Sequence, residues 1–302
     1  MSIFKSEELT MDYTLKTDKM TFTVRDRGAE LISAMGAGGE EFLWSGNPEI
    51  WGEHSPVLFP LCGRLFGGCY TYRGKRYEMG CHGFYSSSLP TLTERTDTSL
   101  TFVLTESEDT LKVYPFPFCM RLTYTANSDT LTVSALIENT GEDILPFMYG
   151  AHPGFAVPMD KGLSFEDFKV DLGDGDITLY REQNGPFVCP NGEKFQTENG
   201  VFHLNSDEIC SYGTVILSGV GGKVTLCSDK CSRSVALTFS DDFKYFCMWK
   251  SNAEGASYLC LEPWSGVPGD GATDECFETR GSMVRLMPGE KKHFVYTMKF
   301  SY

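Results

Sequence analysis

Glu262 follows an apolar run and is the strongest candidate for a general base. In "YLCLEPWSGVPGDG" Leu259 and Leu261 alternate with their neighbours, as in a strand, and we predict that this strand stops at Pro263. A carboxylate in such surroundings should be partly desolvated, which raises its pKa and makes it a competent base. Trp264 adds a flat apolar surface of the kind that packs on the C–H face of a sugar. A surface glutamate at a strand end is the alternative.

Two of the five histidines share a local pattern of small neighbours and a following aromatic residue. His82 lies in "GCHGFYSSS" and His152 in "GAHPGFAVP". Glycine beside an imidazole lets a ligand or another backbone segment come close. Pro153 favours an extended conformation at His152. Because histidine exchanges protons near neutral pH, both are candidate acids or bases, with structural turn histidines as the alternative.

Arg64 ends the apolar run in "PVLFPLCGRLFGG", where it could point a fixed set of donors into a pocket or form a surface ion pair. The other histidines give weaker signals. His293 in "KKHFVYTMKF" is typical of a sheet surface, and His203 in "VFHLNSD" of a strand or turn. His54 follows the aromatic residue Trp51, and its role stays open.

The composition excludes several classes of partner. The chain has 302 residues, with 26 basic and 41 acidic side chains and a net charge of −15. This charge disfavours nucleic acid and anionic membranes. The 11 cysteines lack CxxC spacing, so we expect reduced thiols, no metal and a cytoplasmic location. The polar N-terminal residues do not resemble a signal peptide, and no apolar run is long enough to span a membrane.

Alternating patterns dominate the chain, for example "MTFTVRD", "SLTFVLTES", "TLTVSALIENT", "SVALTFSDD" and "HFVYTMKFSY". Short connections rich in Gly, Asn and Asp separate them. This pattern predicts an all-β protein, a large antiparallel β-sandwich formed by a single domain over residues 1–302. Short helical turns are expected near residues 49–54 and 164–168. The chain has no GxSxG, Walker, GxGxxG or HExxH motif, so we expect no cofactor.

Four short motifs occur in a familiar order: "LFPLCGRL", "HGF", "AHPGF" and "LEPWSG". Together they resemble the aldose 1-epimerase family, the galactose mutarotase-like proteins, and within it the bacterial LacX-like branch. The resemblance covers nearly the whole chain. It implies a large β-sandwich and a cofactor-free reaction that interconverts the α and β anomers of a free monosaccharide. In that reaction a base takes the C1 hydroxyl proton while an acid protonates the ring oxygen, from opposite sides of the hemiacetal.

The resemblance also implies roles for individual residues. Glu262 matches the glutamate base of the family and His152 its histidine acid. His82 matches a second histidine that contacts the ring oxygen or a nearby hydroxyl, and Arg64 matches a sugar-binding arginine.

Two further substrate-binding residues are expected by the same resemblance. The family has an aspartate that binds sugar hydroxyls, and Asp207 in "LNSDEI" is the best candidate, with Glu208 beside it as an alternative. Trp249 in "YFCMWKS" lies in a stretch that resembles a strand at the edge of the pocket, where it would contact the sugar.

Three alternatives to a mutarotase stay open. A hexose-6-phosphate epimerase would need several cations around its pocket, and Arg64 is the one that the sequence offers. A carbohydrate-binding protein without catalysis would not need both Glu262 and His152. A glycosidase or polysaccharide lyase is a weaker alternative, because glycosidases use two close carboxylates.

Overall fold

The protein is described by a computed structural model over residues 10–183, 187–269 and 275–302. The first half of the chain contains thirteen strands within this part: β1 Asp12–Lys16, β2 Met20–Arg25, β3 Glu30–Gly36, β4 Val57–Leu58, β5 Cys69–Tyr72, β6 Lys75–Glu78, β7 Thr91–Arg95, β8 Ser99–Thr105, β9 Phe118–Asn127, β10 Thr130–Asn139, β11 Leu145–Phe147, β12 Gly150–Ala151 and β13 Gly154–Ala156.

Thirteen more strands follow in the described second half: β14 Lys169–Asp171, β15 Thr178–Tyr180, β16 Glu182–Gln183, β17 Phe187–Val188, β18 Glu193–Lys194, β19 Val201–His203, β20 Val215–Ser218, β21 Lys223–Cys227, β22 Ser234–Phe239, β23 Tyr245–Trp249, β24 Tyr258–Trp264, β25 Val284–Leu286 and β26 Lys291–Ser301. The described helices are short: α1 Glu108–Val113, α2 Ser206–Tyr212, and 3-10 turns at Arg27–Ala29, Phe66–Gly68, Tyr85–Ser87 and Phe165–Asp167. The helical turn expected near 164–168 is therefore present, whereas residues 49–54 form no helix.

Two large antiparallel sheets dominate the described ranges and confirm the predicted fold class. One has nine strands in the order β19-β14-β21-β22-β26-β10-β9-β8-β7. The other runs β18-β15-β20-β23-β24-β12-β4, and β13 also pairs with β24. Buried and partly buried residues alternate along β9 and β10, so each presents one apolar face to the interior. Aromatic residues such as Phe239 on β22 and Phe246 on β23, whose rings stack at 5.7 Å, join the two sheets through the core.

The central strand β24 is buried on both of its faces. Leu259 and Leu261 belong to the main core between the sheets, while Tyr258 and Cys260 pack with Trp44 in a second, smaller cluster. The second face therefore points away from the main core but stays dry. No helix in the described part of the chain is long and apolar enough to cross a membrane.

Candidate active site

Glu262 lies on the second face of β24 and is completely buried, with 0% of its surface exposed. Its register partner on β23 is Cys247. The indole Nε1 of Trp264 donates a hydrogen bond of 3.1 Å to Oε2 of Glu262. The other oxygen, Oε1, has no protein partner among the described residues, so it is free to accept a hydrogen bond from a ligand.

The prediction that the strand stops at Pro263 is wrong, since β24 continues through Trp264. Proline removes one donor from the ladder, which usually restricts it to strand ends or edges. Here Leu261 and Ser265, on either side, donate to the carbonyls of Pro153 and Tyr149. Pro263 thus lies midway between these two bonds, where the neighbouring chain passes from β12 to β13.

His152 occupies that passage between β12 and β13, and this places it directly beside Glu262. Both short strands pair with β24, so the two residues between them are held against its second face. His152 Nε2 lies 3.1 Å from Glu262 Oε2, and the histidine is 6% exposed. The structure therefore brings the two predicted catalytic groups together on one wall of a pocket, in contact with each other.

The small residues around His152 make room for tryptophan rings. A Cβ on Gly154 would lie 2.6 Å from Cζ3 of Trp51, and one on Gly150 would lie 2.9 Å from Cδ1 of Trp264. Non-bonded contacts of a Cβ atom are essentially never this short. The sequence pattern predicts that a ligand or another backbone segment comes close to these glycines, but aromatic side chains of the site itself lie against them.

Gly154→Ala should therefore displace Trp51 and disturb His152. We expect the variant to fold, with overpacking that destabilises it by about 1–3 kcal/mol. A displacement of roughly 1 Å at a catalytic site can lower the rate up to about a hundredfold. Gly52→Ala is the matched control, since its Cβ would meet Pro48 at an ordinary 3.5 Å. Thermal melts and activity assays of both variants test this prediction. Activity of Gly154→Ala equal to that of Gly52→Ala would contradict it.

His82 is held in an unusual backbone conformation by a double hydrogen bond to Gly63. Its φ is +61°, its backbone N–H donates to the Gly63 carbonyl at 2.8 Å, and the Gly63 N–H donates to Nδ1 at 3.0 Å. Because Nδ1 accepts, the proton of the neutral ring is on Nε2. Burial, reinforced by the positive charge of Arg64, lowers the pKa of His82 to about 4. His82 is therefore a neutral hydrogen-bond donor near neutral pH.

The rings around His152 form an aromatic enclosure. The ring centroid of His82 lies 5.4 Å from that of His152, edge to face, and 5.9 Å from that of Trp264. Trp51 lies 5.2 Å from His152 and Trp249 5.7 Å. This enclosure excludes water from most of the imidazole.

A pocket of about 490 Å³ opens onto this enclosure. Five of the six residues predicted to act on or bind substrate line it: Arg64, His82, His152, Trp249 and Glu262. Arg64 is exposed at the pocket wall, and Trp249 is partly buried.

Asp207 is the exception. It lies exposed in the first turn of α2, outside the residues that line the pocket, and Glu208 follows it there. The side chain of Asn205 caps this helix by accepting from the backbone N–H of Glu208. Acidic residues in the first helical turn interact favourably with the helix dipole, which accounts for both carboxylates without a ligand. The structure thus does not support the predicted role of Asp207 in binding sugar hydroxyls.

Sequence reasoning did not find several pocket residues, among them Trp51, Glu53 and Glu182. The carboxylate of Glu182 packs against Gly213, where a Cβ would lie within 2.3 Å of it, and it forms hydrogen bonds with Thr214. Partial burial raises the pKa of Glu182, and the same effect, together with the charge of Glu30, raises that of Glu53. No motif surrounds these residues. Their one signal was the proximity of Trp51 and Glu53 to a histidine, His54.

Burial acts in opposite directions on the two contacting groups. Removal from water raises the pKa of Glu262 well above its usual range, although the hydrogen bond from Trp264 opposes this. Burial, with a smaller effect of His82, lowers the pKa of His152. The two groups therefore share one proton and titrate as a unit. Transfer of that proton across the 3.1 Å contact interconverts the neutral pair and the imidazolium–carboxylate pair.

One group of described residues has the composition of a metal site. Ligand atoms of His152, Cys260 and Glu262 lie within 4.8 Å of one another. Cys260 packs in the smaller apolar cluster and does not line the pocket, while the other two residues contact each other directly. This geometry fits a hydrogen-bonded acid–base pair better than a ligand shell.

The fold and the site define a β-sandwich protein with a buried histidine–glutamate pair in an aromatic-walled pocket. The sequence model of the aldose 1-epimerase family matches residues 11–299, and the chain belongs to this family. It is 27% identical over 288 residues to the chromosomal LacX protein of Lactococcus lactis subsp. lactis, covering 92% of this chain and 95% of that protein.

Solved structures agree with this assignment. A galactose mutarotase related enzyme from Lactobacillus acidophilus superimposes with a TM-score of 0.90 at 32% identity, covering 96% of this chain and 97% of that chain. A galactose mutarotase-like protein from Lactobacillus casei ATCC 334 also gives 0.90, at 27% identity, with coverage of 96% and 100%.

Proposed function

We propose that the chain is an aldose 1-epimerase that interconverts the α and β anomers of a free aldose by proton transfer alone. The observation that carries this proposal is the 3.1 Å contact between His152 Nε2 and Glu262 Oε2 at the wall of the pocket. Family membership supports sugar epimerisation in general. The volume of about 490 Å³ lies within the usual range for small-molecule sites.

The reaction uses the imidazolium–carboxylate form of the pair. Glu262 removes the proton from the C1 hydroxyl while His152 protonates the ring oxygen, and the C1–ring oxygen bond breaks to give the open-chain aldehyde. Rotation about C1–C2 exposes the other face of the carbonyl, and the reverse transfers close the ring. Both oxygens are bonded to C1, so two contacting groups on one wall can reach them together. The expected placement on opposite sides of the hemiacetal is therefore not required.

Other pocket residues support binding of the sugar. The Nε2–H of His82 is directed away from Gly63, which occupies Nδ1, and can donate to a ring oxygen or hydroxyl. Arg64 can donate to hydroxyls, while the carboxylates of Glu53 and Glu182 can accept from them. We assign Glu182 the hydroxyl-binding role that the sequence analysis gave to Asp207.

The direct test is polarimetry of freshly dissolved α-glucose and α-galactose with purified protein. We expect the optical rotation to relax faster than the spontaneous rate, in proportion to enzyme concentration. Relaxation at the spontaneous rate over a panel of aldoses, despite binding measured by calorimetry, would instead indicate a sugar-binding protein without catalysis.

The charges of the pocket predict discrimination against phosphorylated sugars. Arg64 is the one lysine or arginine among the described residues that line the pocket, and Glu53 and Glu182 are carboxylates. An anionic substrate would face these carboxylates in a partly desolvated site, which is unfavourable. We expect kcat/KM for glucose 6-phosphate to be at least about tenfold lower than for glucose. Equal or higher values for the phosphate would favour a hexose-6-phosphate epimerase.

The shared proton predicts a bell-shaped dependence of kcat/KM on pH. At low pH a second proton creates an imidazolium beside an uncharged carboxyl group. Because burial lowers the pKa of His152, this acid limb should lie below 6.5. At high pH the pair loses its proton, and because burial raises the pKa of Glu262, this limb should lie well above 4.5. A profile that lacks either the acid limb or the alkaline limb would contradict a one-proton active pair.

A further inference from the structure

Among the described residues, Trp51 has the aromatic ring whose centroid lies nearest to that of His152. The centroid of its ring lies 5.2 Å from that of the imidazole, at an interplanar angle of 38°, which is closer to parallel than to perpendicular. The Trp51 ring also stacks on Tyr258, with a centroid distance of 5.2 Å and an interplanar angle of 27°. It meets the Trp249 ring edge to face at a centroid distance of 5.6 Å. The indole is thus fixed between the second face of β24 and the catalytic imidazole.

Hydrogen bonds hold the backbone around Trp51 in place. Nε1 of Trp44 donates to the Trp51 carbonyl at 2.8 Å, and the backbone N–H of Trp44 donates to Gly154 at 2.9 Å. The residues that follow Trp51 are tied to β3, since the N–H groups of His54 and Ser55 both donate to the carboxylate of Glu30. These contacts tie the Trp51 segment to the "AHPGF" turn that contains His152, with Gly154 providing the space for the ring.

The proposed reaction requires a positive charge on His152, and burial opposes that charge. The titratable or charged groups that face the imidazole are Glu262 and Cys260 on β24, His82 from its loop, and Glu53 and Arg64 at the pocket wall. Of these, Glu262 alone contacts the ring as an acceptor. The face of an indole within about 6 Å of a cation stabilises it through the ring quadrupole.

From this geometry we propose that Trp51 is a positioning residue that stabilises the imidazolium form of His152 through its indole face. The kinetic consequences of this proposal rest on the proposed epimerase activity. The effect of Trp51 on the protonation of His152 does not depend on any substrate. Trp51 assists the acid without exchanging a proton itself.

The test compares Trp51→Leu, which removes the π face, with Trp51→Phe, which retains a weaker one. For the leucine variant we expect kcat to fall roughly 3- to 30-fold with a smaller change in KM, the range expected for loss of a cation–π contact. The acid limb of the pH profile should move down by roughly 0.5–1.5 pH units, because the imidazolium becomes harder to form. The phenylalanine variant should fall between the leucine variant and the wild type.

Phe195→Leu is the control, since it removes a buried aromatic ring that packs on Phe202 in the main core and lies outside the pocket. It should leave the acid limb unchanged. A loss of kcat with no shift of the limb in either Trp51 variant would overturn the proposal and leave Trp51 a packing residue.

A titration of the imidazole resonances by NMR separates this proposal from the proposed function. The resonance of His152 is identified by its absence in His152→Asn. Its titration should move to lower pH in Trp51→Leu and Trp51→Phe relative to the wild type, whether or not the protein turns over an aldose. An unshifted titration would overturn the role of Trp51, while absent turnover alone would overturn the epimerase activity.

Discussion

Glu262→Gln should lower kcat about 10²- to 10⁴-fold, the usual contribution of a positioned general base. The amide keeps the shape of the side chain and can still accept from Trp264, but it cannot take a proton from the C1 hydroxyl. Sugar binding should survive, because Arg64, His82 and Glu182 are unchanged. Polarimetry at saturating aldose measures kcat, and calorimetry measures the affinity.

Folding is not expected to obscure this result. Glu262 is completely buried, and an uncharged amide is easier to bury than a carboxylate. Glu138→Gln, on β10 of the opposite sheet and outside the pocket, is the matched control and should retain full activity. Full activity in Glu262→Gln would exclude Glu262 as the base.

His152→Asn should also reduce kcat about 10²- to 10⁴-fold, the usual contribution of a positioned general acid. Among the described residues, His152 is the acid that contacts Glu262, and the variant has no other group there to protonate the ring oxygen. Because this variant has no imidazolium proton to lose, the alkaline limb of the pH profile should disappear from its residual activity, while protonation of Glu262 still limits activity at low pH. The loss of the alkaline limb distinguishes removal of the acid from a general disturbance of the pocket.

His293→Asn provides the comparison for that variant. His293 is exposed on β26 of the nine-stranded sheet, where it shares a hydrogen bond of 2.6 Å with Ser134, and it does not line the pocket. It should retain wild-type kcat and an unchanged pH profile. If His152→Asn behaved like this control, ring opening would have to use another acid, and His82 would be the first candidate.

The parts of the site that local sequence could predict are those fixed by one strand or turn. Strand alternation around Leu259 and Leu261 correctly placed Glu262 in a dry environment, because the strand period assigns alternate residues to opposite faces. The extent of the burial, and the passage of the strand through Pro263, depend on β12 and β13. Those neighbours are separated from β24 by more than a hundred residues of sequence, so no local pattern contains them.

The position of Trp51 in the pocket could not be predicted from local sequence either. Its sequence neighbours carry no motif, and its position against His152 follows from the hydrogen bond between Trp44 and Gly154 and from the absence of a side chain on that glycine. The glycines of "GAHPGF" were recognised as important, but their function is to admit indole rings. The position of Asp207 outside the pocket has a related reason: a carboxylate near a weak motif is equally suited to the first turn of a helix, and Asp207 lies in the first turn of α2.

A crystal structure of the Glu262→Gln variant with a bound aldose tests the central claim most directly. The variant should hold the sugar without converting it. We predict that the C1 hydroxyl lies within hydrogen-bond distance of the side chain at position 262 and the ring oxygen within that distance of His152 Nε2. A sugar bound in the pocket with C1 directed away from both side chains would contradict the assignment of Glu262 as base and His152 as acid.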